Sequence, residues 1–170
     1  MESKPIKLTT TSFALLALLD QLGQATSYEI KQALEASIQN FWPVPHTTAY
    51  EEPARLAEGG YLSSSQEQSG RRRKTYALTE RGREALRAWA DDPDTEPPQY
   101  RDELMLKVFA GGDPGTMVAD RVAWHEAKLE ELGGYLDAVR QAEGWGPSEL
   151  TLLAGLSYHR HMLAMLEEMS

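Results

Sequence analysis

Four consecutive cations, Arg71, Arg72, Arg73 and Lys74, form the densest positive cluster in a chain whose formal net charge is −9. At that density, guanidinium and ammonium groups suit one task above others: displacing counterions from a polyanion and bonding its phosphates. Upstream, His46-Thr47-Thr48-Ala49-Tyr50 offers hydroxyls that can bond bases or phosphates and a methyl that can touch thymine. Other chemistries lack their groups. The chain has no cysteine, which excludes disulfides, thiolate metal sites and cysteine nucleophiles. His159 and His161 are two apart and leave a helix on different sides, so no converging metal set is visible. No nucleophile–base set or phosphate loop occurs, and the glycine pairs fall at expected helix ends. Neither an enzyme nor a cofactor is expected.

The acidity is not evenly spread. Residues 1–90 hold 11 Lys/Arg and 10 Asp/Glu (11 − 10 = +1), whereas residues 91–170 hold 6 and 16 (6 − 16 = −10). Local potential rather than total charge decides where a polyanion docks, and the first half carries the cluster. At 170 residues the chain is long enough for one or two small domains with a real core. No apolar run approaches the roughly 18 residues of a membrane span, and the N-terminus lacks a signal-peptide core. A cytoplasmic location with no membrane partner is the expectation.

The elements that must position these residues follow from punctuation and period. Residues 11–22 (TSFALLALLDQL) are apolar on most sides and predict a buried helix ended by Gly23. Thr26-Ser27-Tyr28-Glu29 fits a capping box opening a second helix with Ile30, Ala33 and Leu34 inward. The prolines of FWPVP (41–45) interrupt it. Thr48-Ala49-Tyr50-Glu51 fits another capping box, so a third helix should begin near Thr47 or Thr48, with Pro53 near the end of its first turn and Gly59-Gly60 as its stop. Tyr50, Ala54, Ala57 and Leu56 can face inward. Residues 61–66 and 75–78 read as two strands around a Ser69-Gly70 turn, and Thr79 as the cap of a fourth helix with Ala85, Leu86 and Trp89 facing in. The pattern is a winged helix-turn-helix over residues 1–90.

DDPDTEPPQ (91–99) has linker composition, and a helix over 100–110 with Leu104, Met105 and Val108 on one side completes a connecting segment, 91–112. Asp113-Pro114 starts the last region, 113–170. There Val118, Val122, His125, Leu129, Leu132, Leu136 and Val139 recur at spacings of 4 and 3, as do Leu152, Leu156, His159, Leu163 and Leu166 after a Gly144–Pro147 turn. Two such seams predict antiparallel helices that satisfy part of their apolar surface on each other and the rest on a second copy. Each seam carries one histidine, so a pH-sensitive contact between copies is one reading, beside an ordinary interface histidine. The fold class is thus mostly α with a small β-hairpin wing: an N-terminal winged helix-turn-helix and a C-terminal antiparallel helical dimerisation region.

Several segments resemble one family. FALLALLDQLGQATSYEIKQALE, TAYEEPARLAEGGYL, GRRRKTYALTERGREALRAW and YRDELMLKVFAGG, spanning roughly residues 10–112, are similar to the PadR-like transcriptional regulators. The chain departs from them at Ala25–Tyr28, which keeps only the tyrosine of a His-Gly-Tyr run. The resemblance implies a homodimeric repressor on double-stranded DNA, with an inverted-repeat operator following from two-fold symmetry. It implies a recognition helix over 46–55, where His46, Thr47, Thr48, Ala49, Tyr50 and Arg55 would meet the groove. Arg71, Arg72, Arg73 and Lys74 would lie on phosphate or in the minor groove. Tyr28 and Lys31 would position the backbone, or simply be surface residues. Glu51 and Glu52 would cap the helix or face away. Trp42, Trp89 and Trp124 are candidates for a pocket taking a flat aromatic or phenolic effector, though core anchors are the commoner role. The competing function is a winged-helix adaptor that contacts proteins through its acidic tail.

Overall fold

The computed structural model describes residues 6–66, 73–141 and 147–169. The Ser69-Gly70 turn, Arg71, Arg72 and Gly144–Gly146 lie outside the described residues. The chain divides into two compact units, residues 1–96 and 97–170.

The first unit is built in the order α1 (Thr10–Leu22), β1 (Gln24–Thr26), α2 (Ser27–Ala36), α3 (Thr48–Glu58), β2 (Leu62–Gln66), β3 (Lys74–Leu78) and α4 (Glu80–Ala90), with a short 3-10 turn at Ile38–Asn40. Local chemistry sets most of these boundaries. Thr9 and Ser12 form a reciprocal capping box on α1, and Thr26 and Glu29 form one on α2. Gly23 takes φ 72° after α1 and Gly60 φ 75° after α3, a region that side chains with a Cβ avoid. Thr79 accepts from Gly82 N at the start of α4.

The wing is larger than the two-stranded hairpin. The residues after Gly23, for which no strand is predicted above, form a third strand, β1 (Gln24–Thr26). The sheet order is β1-β3-β2, all antiparallel, with Ala25 and Ser64 on either side of Tyr76. A three-residue strand has no period of its own, and it exists here because β3 offers it an open edge. The buried side chains Ala25, Leu62, Tyr76 and Leu78 lay the sheet on Leu15, Leu16 and Leu19 of α1, Ile30 and Leu34 of α2, and Ala49 and Leu56 of α3.

Two expectations for α3 fail. It begins at Thr48 as read, but Thr47 caps it without a side-chain hydrogen bond, so the 48–51 capping box does not form. Pro53 lies inside the helix rather than in its first turn, where it cannot donate to the Ala49 carbonyl. Its ring is fully buried, so packing offsets the lost bond.

The second unit holds α5 (Glu103–Phe109), a 3-10 turn at Pro114–Thr116, α6 (Val118–Gln141) and α7 (Pro147–Glu168). Asp113 caps the 3-10 turn, so the proline start opens that turn and α6 follows it. The long helices are antiparallel. Their register is read from Val118 and Leu166 sharing one cluster, the contact of His125 with His159, Leu132 and Leu156 sharing another, and the Arg140–Glu149 ion pair at 2.9 Å.

This register gives the share of the two seams that is satisfied within one chain. Val118, His125, Leu132, Leu136, Leu156, His159 and Leu166 are already buried within the unit. Val122, Leu129, Val139, Leu152 and Leu163 remain only partly buried. Met162, absent from the heptad reading, is buried beside them. Among the described residues no helix is long and apolar enough to cross a membrane.

Candidate nucleic-acid interface

Helix α3 is anchored by Ala49, Pro53 and Leu56, which are buried, and this fixes which residues face outward. Ala49 is 0% exposed and is therefore not a base-contacting residue, contrary to the reading from its methyl. His46 and Thr47 are exposed, and Thr48 is half-buried. Tyr50, expected inward as part of the helix stripe, is half exposed. The outward surface of the first turn is thus His46, Thr47, Tyr50 and Glu51, with Thr48 at its edge.

Helix α2 supplies the neighbouring part of this surface. Glu35 bonds the Lys31 ammonium at 3.0 Å and lies 3.3 Å from His46 Nδ1, which ties α2 to the segment entering α3. The hydrogen bond that Lys31 donates to Glu35 raises its ammonium above its ordinary value against the opposing effect of burial; the Tyr50 and Tyr28 phenols reinforce the rise. Tyr28 is 59% exposed, so Tyr28, Lys31, His46 and Tyr50 form one polar, aromatic-bearing surface.

Arg55 does something else. Its Nε donates to Glu52 at 2.7 Å, and its Nη atoms bond Glu52, Ser12 Oγ at 3.0 Å and the Lys7 carbonyl at 3.0 Å. Ser12 Oγ also donates to Glu52 at 2.7 Å. With its donors committed, Arg55 is a clamp between α1 and α3, and its assignment to DNA is corrected. Glu52 neither caps α3 nor faces away, because it is the centre of this clamp. Burial pushes its carboxyl upward, but hydrogen bonds from Arg55 and Ser12 outweigh that and hold it below the ordinary 4.5.

A depressed folded-state value means that the clamp contributes above pH 4.5 and is lost as pH falls through the lower folded value. Glu52→Gln is expected to destabilise the protein by about 1–2 kcal/mol at pH 7, the range for charge-assisted bonds discounted for a guanidinium that water partly screens. The loss should shrink as pH falls below 4. Urea denaturation at pH 7 and pH 3.5 measures both.

At the wing, Gln66 pairs with Lys74, so residues 67–73 connect β2 to β3. Arg73 and Lys74 are exposed, and the Lys74 ammonium lies 5.2 Å from the Tyr76 ring centroid. Arg73 helps to hold the Glu29 carboxyl below its usual value, after the larger effects of its bonds to the Thr26 backbone and hydroxyl. Arg73 therefore acts on the start of α2.

Trp42 and Trp89 belong to the first unit and Trp124 to the second. Trp89 stacks on Phe13 with centroids 4.8 Å apart and 3° between planes, which makes it a packing residue on the flank of α1. Trp42 is 42% exposed in the segment before α3. Trp124 lines an open cleft of about 350 Å³ with Leu104, Lys107, Met117 and Arg121. Among the described residues no group of three or more His, Cys, Asp or Glu could hold a metal.

The model of the transcriptional regulator PadR-like family matches residues 15–88. The chain is 27% identical over 139 residues to the negative transcriptional regulator PadR of Bacillus subtilis (strain 168), covering 77% of this chain and 76% of the relative. Among solved structures it is similar to Bacillus subtilis PadR in complex with operator DNA, at 24% identity over 96% of this chain and 97% of that one, with a TM-score of 0.79. It is also similar to Bacillus subtilis PadR in complex with p-coumaric acid, at 23% identity over 94% and 96% of the two chains, with a TM-score of 0.72. At these identities the structures share the fold. The matched span holds the capped α2, the anchored α3, the wing and the Thr79-capped α4, and over that span the chain is similar to the PadR-like family of transcriptional regulators.

Proposed function

We propose that this regulator is a homodimeric repressor that places two α3 helices on an inverted-repeat operator and is released by a small aromatic or phenolic effector. The observation that carries the DNA reading is the anchored first turn of α3. Buried Ala49, Pro53 and Leu56 fix the helix, while Thr47 and Tyr50 project beside Tyr28 and Lys31. In this reading Thr47 and Thr48 meet base edges, Tyr28, Lys31, His46 and Tyr50 position the backbone, and Arg71 to Lys74 hold phosphate. The relative solved with operator DNA supports a DNA role, and the name of the curated relative supports repression.

Self-association rests on the apolar surface left on the second unit. Leu106, Phe109, Leu150 and Leu153 are exposed there, and Val122, Leu129, Val139, Leu152 and Leu163 are only partly covered. The relative solved with p-coumaric acid supports an effector of that class. A mobility-shift assay on the duplex upstream of the chain's own coding region tests the reading. A retarded complex with two chains per duplex is expected. Absence of any complex on this or other duplexes, with the protein still binding a basic-surface protein through its acidic second half, would favour the adaptor role instead.

A further inference from the structure

His125 on α6 and His159 on α7 are both buried, and their Nδ1 atoms lie 2.8 Å apart. That contact needs one proton between two nitrogens, so one ring donates and the other accepts. His125 Nε2 is buried and has no hydrogen-bond partner. A proton on that nitrogen would be an unsatisfied donor, which favours the tautomer in which His125 Nδ1–H donates to His159 Nδ1. Rings enclose the pair. Trp124 meets His125 edge-on at 4.7 Å and His159 at 5.4 Å, and Tyr158 lies 5.2 Å from His159.

We infer that the His125–His159 pair is a proton-sensitive latch between α6 and α7, closed when both imidazoles are neutral and opened when the pair takes up a further proton. The geometry leaves an added proton two places. On His159 Nδ1 it removes the acceptor of the bond. On His125 Nε2 it creates a buried N–H of a cation with no acceptor in the structure. Either way the pair must separate or hydrate.

The surrounding charges agree in direction. Burial is the main effect holding His125 below the 6.5 of a free imidazole, with Arg121 adding to it and Asp102, bonded to Arg121 at 2.9 Å, opposing. For His159, burial leads again, His125 and Lys128 add to it, and Glu131 opposes. Those groups come from α6 and from the segment entering α5. Tyr158 on α7 and Tyr100, whose hydroxyl bonds Asp102 at 3.2 Å and Met162 Sδ at 3.8 Å, face the same region. Because the folded values lie below 6.5, the latch contributes fully above pH 6.5. Its contribution falls as pH drops through that value, since the unfolded chain then takes up protons the folded one refuses.

The latch does not depend on the repressor reading; only its consequence does, because loosened α6–α7 packing would weaken any dimer built on that unit. The test is imidazole NMR titration of the full chain, with amide exchange of α6 and α7 at pH 7.5 and 5.5, corrected for intrinsic rates. Both rings should titrate below 6.5, and protection of the two helices should fall at least tenfold on acidification. In the His125→Leu/His159→Leu double variant, which replaces the pair by apolar groups of similar size, that fall should vanish. Imidazoles titrating at or above 6.5, helices equally protected at both pH values, or an undiminished response in the double variant would each overturn the latch. DNA binding enters none of these readouts, so failure of the operator reading would be seen separately.

Discussion

Replacing Arg71, Arg72 and Arg73 together by alanine is expected to lower DNA affinity on the order of 100-fold at 0.1 M salt and to flatten its salt dependence. Each lost phosphate contact removes about 0.9 from the slope of log K against log salt, so three contacts remove roughly 2–3. Charge distribution is the reason for the size of the effect. These residues lie in the connection between β2 and β3 and supply most of the dense positive charge of the first 90 residues, which are otherwise close to neutral. Thr47→Ala should act differently, reducing discrimination between duplexes by about 1 kcal/mol while leaving the slope intact. Fluorescence anisotropy titrations from 50 to 300 mM salt separate the two. An unchanged slope in the triple variant would remove the wing from the interface.

Gly82→Ala should be the most damaging single methyl in the first unit. Gly82 is buried at the start of α4, where Thr79 N donates to the Tyr61 carbonyl at 3.1 Å and the Thr79 hydroxyl faces the Gly60 and Tyr61 carbonyls at 2.8 and 3.0 Å. A Cβ at Gly82 would overlap the Tyr61 carbonyl oxygen, which is backbone and cannot swing aside. Relief requires α4 to move off the start of β2, at a cost of about 2–3 kcal/mol for overpacking. For a unit of this size that lowers the melting temperature by roughly 10 °C or more. Differential scanning calorimetry decides it. Gly133→Ala on α6 is the control: a Cβ there meets nothing within 4 Å, and helix propensity favours alanine.

Much of the fold was legible because its signals are local. The Thr26–Glu29 capping box, the Thr79 cap, the Gly60 stop and the heptad seams each depend on residues within a turn or two, and spacing encodes them. What escaped depends on distant partners. Strand β1 exists only against β3, some 50 residues on, and three residues show no alternation. The Ser12–Glu52–Arg55 clamp joins side chains 40 and 43 positions apart, so Arg55 looked like a free cation on a DNA-facing helix. Ala49 looked available because small residues carry little facial signal, and only the packing of α3 shows it buried. Both histidines were visible in their seams. Their pairing required the antiparallel register, which turns two interface candidates into one intrachain contact.

The proposed function puts a reader of duplex DNA on the first unit, and the geometry specifies how it would read: an anchored α3 with an exposed first turn, flanked by α2 and a basic connection. Selection of bound sequences from random duplexes by the full-length protein tests this most directly. The account predicts enrichment of an inverted repeat whose half-site centres lie about one helical turn apart, roughly 10 base pairs. Enrichment of a single asymmetric half-site, or of nothing at all, would contradict it.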